Sequence, residues 1–462
     1  MLRIANKEAL LSHAESPLNR RAREIALDVI EHVLTSVDPR LIIKSKVVLR
    51  KDQLSIDGNT FDLNTFKRIF VMGGGKASGS MAKGLEEVLG NRIEGGLVVV
   101  PRGTETRYMT SRIKVQGATH PVPDNESIEA AKRLMELADR AEEDDLVLCL
   151  ISGGGSSLMA LPREGVSLSD KQKVIDLLLK SGATINEINA VRKHLSCFKG
   201  GQLAKRLYPA TVVSLLLSDV VGDPLDVIAS GPTAPDPTTF ENAVSVLKRY
   251  SLWERAPETV RKVLCEGAEG SIPETPKDGD LAFERVYNIV VGNNRLACAA
   301  AVEGLRRNGL KTLLLTSFIE GEAKEVGFML GALAQEIAAS GNPLQPPVGI
   351  VVGGETTVTV TGGGRGGRNQ EIALSAALKI GGLDDMVIAS ISTDGVDGMT
   401  DAAGALVDGK TIQRSRGLGL DSRECLKNND SYAFFSKLDD CLIYTGPTGT
   451  NVDDVSILIA LE

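Results

Sequence analysis

Short runs of apolar residues recur along this chain, and each gives way to a glycine-rich turn or to a stretch of helical period. This rhythm constrains the fold more than any other feature. The first runs are Arg68-Ile69-Phe70-Val71-Met72, Gly96-Leu97-Val98-Val99-Val100, the short Ile113-Lys114-Val115, Leu146-Val147-Leu148-Cys149-Leu150-Ile151 and an apolar stretch over 211–217. Helical spacing marks 16–35, 79–89, 125–142, 169–181, 184–195 and 200–208. Strands that are apolar on both faces need cover on both faces. Alternation with helices therefore predicts an α/β fold with a parallel sheet wrapped by helices.

Residues 221–285 are rich in proline and acidic side chains, as in Gly231-Pro232-Thr233-Ala234-Pro235-Asp236-Pro237. A domain boundary is expected near 280, giving domains 1–280 and 281–462. The second series then contains apolar runs at 287–291, 312–315, 348–352, 357–360, 386–391 and 442–444. The adjacent runs at 348 and 357 predict a hairpin, so this smaller sheet is expected to be mixed. The two series share a rhythm but no clear internal repeat.

Several classes are excluded. The net charge is −8 with no long basic run, so no nucleic-acid surface is expected. No apolar stretch of about 18 residues could span a membrane. The N-terminal residues lack the apolar core of a signal peptide. The six cysteines are scattered without pairing, which predicts reduced thiols in a cytoplasmic protein. Four histidines without a His/Cys cluster give no structural zinc site.

Three glycine clusters follow strands. In Gly73-Gly74-Gly75-Lys76-Ala77-Ser78-Gly79, glycines let backbone N–H groups approach an anion, and a helix start adds partial positive charge. Gly74, Gly75 and Ser78 are candidate phosphate ligands, and Lys76 adds a mobile full charge. The spacing is not that of a Walker A loop. It is also a poor dinucleotide fingerprint, because its third glycine falls on Ser78 and the next strand ends in Pro101-Arg102 instead of an acid. A tight turn with a solvated lysine is the plain alternative.

The second cluster, Ser152-Gly153-Gly154-Gly155-Ser156-Ser157, offers backbone donors and hydroxyls as a phosphate cradle. No glycine follows Ser157, so it is not a nucleophile elbow. His120 and His194 are available bases, but spacing ties neither to these serines. The third cluster, Gly362-Gly363-Gly364-Arg365-Gly366-Gly367-Arg368, carries two arginines suited to a planar oxyanion.

Acidic residues follow two strands, at Asp219 and Asp394. A carboxylate there could hold Mg²⁺ with substrate phosphates completing the shell, although such segments also make turns. On the helix at 186–196, Asn189 can share a face with Arg192 or Lys193, a cationic patch for a small acid.

Taken together, these motifs resemble a known family. Gly-Gly-Gly-Lys-Ala-Ser at 73–78, Ala-Thr-His-Pro-Val-Pro-Asp at 118–124, Ile-Ser-Gly-Gly-Gly-Ser-Ser at 151–157 and Asn-Ala-Val-Arg-Lys-His-Leu-Ser at 189–196 are similar to the class II glycerate kinases. So are Ser-Asp-Val-Val-Gly-Asp at 218–223, Ala-Ser-Gly-Pro-Thr at 229–233, Gly-Gly-Glu-Thr-Thr-Val at 353–358, Gly-Gly-Arg-Asn-Gln-Glu at 366–371 and Thr-Asp-Gly-Val-Asp-Gly at 393–398. The C-terminal part of that family is the MOFRL domain, and the resemblance runs from about residue 20 to the end.

The resemblance implies transfer of the γ-phosphoryl group of ATP to D-glycerate, usually at O2, with Mg²⁺ or another divalent cation. It also implies a Rossmann-like first domain, a smaller mixed α/β second domain and an active cleft between them. On that reading Lys76 binds the substrate carboxylate or the γ-phosphate, Arg368 stabilises developing charge and Arg192 orients glycerate. Asp219 or Asp394 holds the metal or accepts the hydroxyl proton. Arg365 precedes the motif and leaves open which arginine reaches substrate; Arg368 is the choice made here. Glycerate and ATP are the expected partners, and a homodimer stays open. The alternatives are a nicotinamide-dependent hydroxypyruvate reductase and a non-catalytic phospho-ligand sensor.

Overall fold

The computed structural model describes residues 3–383 and 385–462. The chain divides into two compact units. One comprises 39–219 and 223–291; the other comprises the chain up to Asp38, 220–222 and 292 onward. The main division thus falls at 291/292 instead of near 280, and the N-terminal helix joins the C-terminal unit. The physical reason for the second difference is one side chain. Arg23, on the helix Pro17–Ser36, is fully buried. Its Nε donates to Asp408 Oδ2 at 3.0 Å and its guanidinium also reaches Asp440 Oδ2 at 3.0 Å. A buried guanidinium needs such partners, and they lie hundreds of residues away in sequence.

In the unit built on 39–219, strands β1 (Val47–Arg50), β2 (Gln53–Ile56) and β3 (Asn59–Asp62) form a small antiparallel sheet. The main sheet contains β4 (Arg68–Gly74), β5 (Gly95–Pro101), β6 (Ile113–Ala118), β7 (Asp145–Ser152), β8 (Thr211–Leu217) and β9 (Val286–Gly292). Its order is β6-β5-β4-β7-β8-β9, and β4 through β8 pair in parallel. As expected of a fully covered strand, every residue of β7 is buried. Counted within the sheet, the order is third-second-first-fourth-fifth-sixth, that of a doubly wound sheet. The direction of winding reverses between β4 and β7. Both of those strands end in a glycine turn.

The segment at 287–291 was expected to open the second series, yet β9 closes the edge of this first sheet. Helix Asn125–Ala138 ends before the predicted 142. The proline-rich stretch also contains helices Phe240–Arg249 and Glu258–Ala268. Their apolar faces pack with those of Leu168–Lys180 and Ile185–His194 into a separate core around Phe240, Val174 and Leu264.

The second sheet holds β10 (Lys311–Ile319), β11 (Val348–Gly354), β12 (Met386–Ser392), β13 (Gly404–Asp408), β14 (Leu442–Ile443) and β15 (Asp454–Ala460), ordered β10-β11-β15-β12-β13-β14. It is mixed, as expected, but not through a hairpin at 348 and 357. Strand β11 pairs in parallel with β10 on one side and antiparallel with β15 on the other, so neither edge is free for 357–360. Thr357 makes only an isolated bridge to Glu322.

Candidate functional site

At the switch point of the first sheet the β4 turn folds against the β7 turn. Gly73 and Gly75 have φ of +142° and +151°, values that L side chains rarely adopt. A methyl group on Gly73 would sit 2.7 Å from the Leu150 carbonyl carbon, and one on Gly75 2.5 Å from the Ser152 carbonyl oxygen. These glycines therefore permit contact between two backbones. The turn's own donors point inward: Gly75 N–H to Val99 O (3.0 Å), Lys76 N–H to Gly153 O (2.8 Å) and Ser78 N–H to Gly75 O (3.3 Å). Ala77 N–H donates to Ser152 Oγ at 3.0 Å, and Ser78 Oγ to Leu150 O at 2.9 Å. The phosphate cradle predicted from Gly74, Gly75 and Ser78 is thus corrected: the Gly75 N–H is spent on Val99 of β5, the Ser78 N–H on Gly75 and the Ser78 hydroxyl on Leu150, while Gly74 is the last residue of β4. Ser152 serves the joint between the two turns.

The β7 turn is different. Gly154 has φ +81°, and the N–H groups of Gly153, Gly154, Gly155 and Ser156 have no acceptor among the described residues. Successive free N–H groups in such a turn form an anion-binding concavity. Lys76 is half-buried, and its ammonium has no ion-pair or hydrogen-bond partner among the described residues. Its Cγ lies 3.3 Å from where a methyl group on Gly154 would be, and the His120 ring is 3.0 Å from the same point. The Asp219 carboxylate lies against Gly153, with Oδ1 2.9 Å from its corresponding point. One turn thus gathers Lys76, His120 and Asp219, three residues from three distant parts of the chain.

A hydrogen-bonded chain leads away from this turn. Ser156 Oγ and Ser230 Oγ are 2.6 Å apart, and Ser230 Oγ donates to Asn189 Oδ1 at 3.1 Å. Arg192 donates to the same oxygen at 2.8 Å. Ala229 and Ser230 hold φ of +50° and +62°, strain of the sort found at functional sites. With two donors on its oxygen, the amide of Asn189 is oriented; its Nδ2 is buried without a partner among the described residues. A buried orphan donor costs about 1–3 kcal/mol, a cost that a bound acceptor would remove. Burial pushes Arg192 down to about 10. Lys171, buried nearby, is pushed down to about 7 by burial and then by the charge of Arg192. Arg192, Lys171 and Lys199 bring basic side chains close together here.

Ser157 turns back to the Gly154 carbonyl (3.0 Å). Lys193 does not face a ligand. It is 1% exposed and paired with Asp226 (2.8 Å) and Asp236 (3.3 Å), because helical spacing puts it on the inner face. His194 is likewise buried between Ala190 O (2.7 Å) and Glu274 Oε2 (3.0 Å), away from the serines.

In the other unit, Arg368 opens helix Arg368–Ile380. It meets Asp454 in a bidentate pair (Nε 2.5 Å, NH2 3.0 Å) and Glu355 at 2.5 Å. Burial opposes its charge, but Asp454 and Glu355 outweigh burial and raise its pKa. Arg365 instead donates to Met399 O at 2.9 Å and stacks over Tyr432, 4.6 Å from the ring centroid. The first part of the third glycine run, 362–365, is no open cradle. Gly362 N–H and Gly363 N–H donate to the side chains of Asn429 and Asn428, and Arg365 N–H to Asp430. The helix start is capped by Asp397, which accepts from Asn369 N–H (3.0 Å) and Gln370 N–H (2.9 Å).

Asp394 is a turn carboxylate: its Oδ1 accepts from Ser392 Oγ (2.9 Å) and Val396 N–H (3.0 Å). Among the described residues no three His, Cys, Asp or Glu side chains form a group that could hold a metal ion. The cysteines are free, as predicted. The sequence names His120 only as a base tied to no turn and gives Ser230, Glu355 and Asp454 no role. His120, Ser230 and Glu355 lie in stretches that carried the family resemblance, and Asp454 opens an apolar run, 455–460, that was overlooked.

Known proteins are similar to this chain over nearly its whole length. The model of DUF4147, a domain of unknown function, matches residues 25–265, and the MOFRL family model matches 348–454. A Pyrococcus horikoshii protein described as glycerate 2-kinase is 45% identical over 438 residues, covering 95% of this chain and 97% of the relative. A Thermotoga maritima D-glycerate 2-kinase is 41% identical, covering 94% and 97%. A solved Thermotoga maritima glycerate kinase matches with a TM-score of 0.83 at 40% identity, covering 95% of this chain and 99% of its own.

Proposed function

The chain belongs to the glycerate 2-kinase family, so phosphorylation of glycerate is its reaction, and we propose that it moves the γ-phosphoryl group of ATP to O2 of D-glycerate at the switch point of the first sheet. One observation carries this placement. The unpaired Lys76 ammonium and the free N–H groups of 153–156 converge on the same turn. Phosphoryl transfer asks a protein chiefly for alignment and charge neutralisation, and these are the groups that supply both. Lys76 and the turn hold the transferring phosphate. Arg192 and the orphan amide of Asn189 take the glycerate carboxylate, with Ser156 linked to them through Ser230. In the other unit Arg368, held by Asp454 and Glu355, is kept as the candidate cation for charge stabilisation.

Asp219 beside the turn is the carboxylate that accepts the hydroxyl proton or holds a divalent cation. Mg²⁺ typically binds one or two carboxylates and completes its shell with phosphate oxygens and water, so the single carboxylate of Asp219 fits it. Such an ion would neutralise phosphate charge. The reductase alternative loses its site. A dinucleotide pyrophosphate would need the N–H groups of the β4 turn, and these are already bonded inward.

The test is an assay of ADP release from ATP and D-glycerate, with the product identified by NMR. 2-Phosphoglycerate is expected, with turnover lost by about 10²–10³ in Lys76→Ala. Formation of 3-phosphoglycerate would refute the O2 assignment. Near-normal turnover of Lys76→Ala would refute the placement at the β7 turn.

A further inference from the structure

The stretch Thr119-His120-Pro121-Val122-Pro123 follows β6, and the function proposed above leaves it without a role. Its histidine nevertheless reaches the β7 turn. The Cδ2 and Nε2 atoms of His120 lie 3.0 Å from the point where a methyl group on Gly154 would sit, beside the Lys76 stem at 3.3 Å. The ring is half-buried, and neither nitrogen bonds to a described residue. A half-buried imidazole with both nitrogens unused is open to a ligand.

The groups around it narrow what that ligand atom can be. The Lys76 ammonium and the N–H groups of 153–156 only donate. They suit phosphate and carboxylate oxygens but leave a hydroxyl proton without an acceptor. The acceptors at this turn are Asp219, which lies on Gly153, the hydroxyls of Ser156 and Ser157, which are already engaged with Ser230 and Gly154 O, and His120, whose nitrogens bond no described residue. Burial and then the Lys76 charge push His120 down to about 4. The ring is therefore neutral near pH 7 and carries one N–H and one lone pair. Such a low basicity makes it a poor proton store and suits it to orienting a hydroxyl.

We propose that His120 is a specificity-determining residue whose imidazole hydrogen-bonds a hydroxyl of the hydroxy acid bound at the β7 turn. The proposal rests on the reading of that turn as the phosphoryl-transfer site. It explains how a site made mostly of donors distinguishes a hydroxy acid from a plain carboxylate. A site built to bond a hydroxyl rejects analogues that lack it, because its own polar group is then left unpaired.

The experiment uses the full chain. The KM and kcat for D-glycerate are measured with the inhibition constants of 3-hydroxypropionate and lactate, each of which lacks one glycerate hydroxyl. Wild type, His120→Phe and His120→Gln are compared. A neutral hydrogen bond corresponds to about a tenfold change. His120→Phe is expected to weaken kcat/KM for glycerate by about tenfold, while the inhibition constant of one analogue stays within about twofold. That analogue identifies the hydroxyl His120 contacts. His120→Gln, which keeps a neutral donor and acceptor, is expected to recover most of the loss.

Equal weakening of glycerate and both analogues would make His120 a packing residue and overturn the proposal. Wild-type kinetics in His120→Phe would overturn it as well. If His120→Phe does not fold, the smaller His120→Leu is read in the same way, and failure of both to fold also assigns packing. Absence of ADP release by the wild-type protein would instead refute the underlying reading, so the two failures are distinguishable.

Discussion

Replacing Gly75 with alanine adds one carbon where the β4 turn meets the β7 turn. That carbon would sit 2.5 Å from the Ser152 carbonyl oxygen and closer still to Ser152 Oγ. Ordinary contact begins near 3.4 Å, so the two turns must part by about 1 Å. Two costs follow. Alanine at φ +151° costs on the order of 1–2 kcal/mol in backbone strain. Forcing a carbon into a packed site costs about 1–3 kcal/mol more. Stability should therefore fall by roughly 2–5 kcal/mol.

The functional effect should be larger than the stability loss suggests. A displacement of about 1 Å between reacting groups can cost about 10²-fold in rate, and this one separates Lys76 from the N–H groups of 153–156. Gly75→Ala should thus lower kcat/KM for glycerate by about 10²-fold in protein that is still folded at the assay temperature. Gly363→Ala is the control. It also lies in a glycine run, but a methyl group there meets nothing within 4 Å and its φ is not positive. Urea unfolding and ADP release are read on both variants. Wild-type turnover by folded Gly75→Ala would refute the close joint between the turns as a requirement for activity. Equal damage in both variants would refute the reasoning from backbone approach.

Two further outcomes follow from buried charges. Arg23→Ala strands the carboxylates of Asp408 and Asp440 and should cost about 3–5 kcal/mol in urea unfolding; a loss below about 1 kcal/mol would refute the anchoring role of the N-terminal helix. Lys171, pushed by burial down to about 7 from 10.5, sheds a proton in the folded state that the unfolded chain keeps between those values. Its penalty is therefore full below pH 7 and fades toward pH 10.5. Lys171→Met should stabilise the protein by a few kcal/mol near pH 6.5 and by clearly less near pH 9.5, and equal gains at both values would contradict the assignment.

The sequence alone determined the α/β class, the parallel first sheet and most of its strands. Runs such as Leu146–Ile151 are apolar on both faces, and only a covered strand accounts for that. It also singled out Lys76, Asn189, Arg192 and the 153–156 turn as candidates, because glycine, lysine and helical spacing have local meaning.

Tertiary structure alone decided which glycine N–H groups keep no acceptor among the described residues. The first and third glycine runs look as much like cradles as the second, yet the N–H groups of 75–77 are spent on Val99, Gly153 and Ser152 and those of 362–365 on residues 428–430. Lys193 and Arg192 are neighbours on one helix, and only packing shows that one is paired inside while the other is not. Burial of Arg23 with Asp408, the central place of β15 and the arrival of His120 beside Lys76 are all long-range events. A local pattern reports what a backbone can do, whereas partners from distant segments settle which hydrogen bonds remain for substrate.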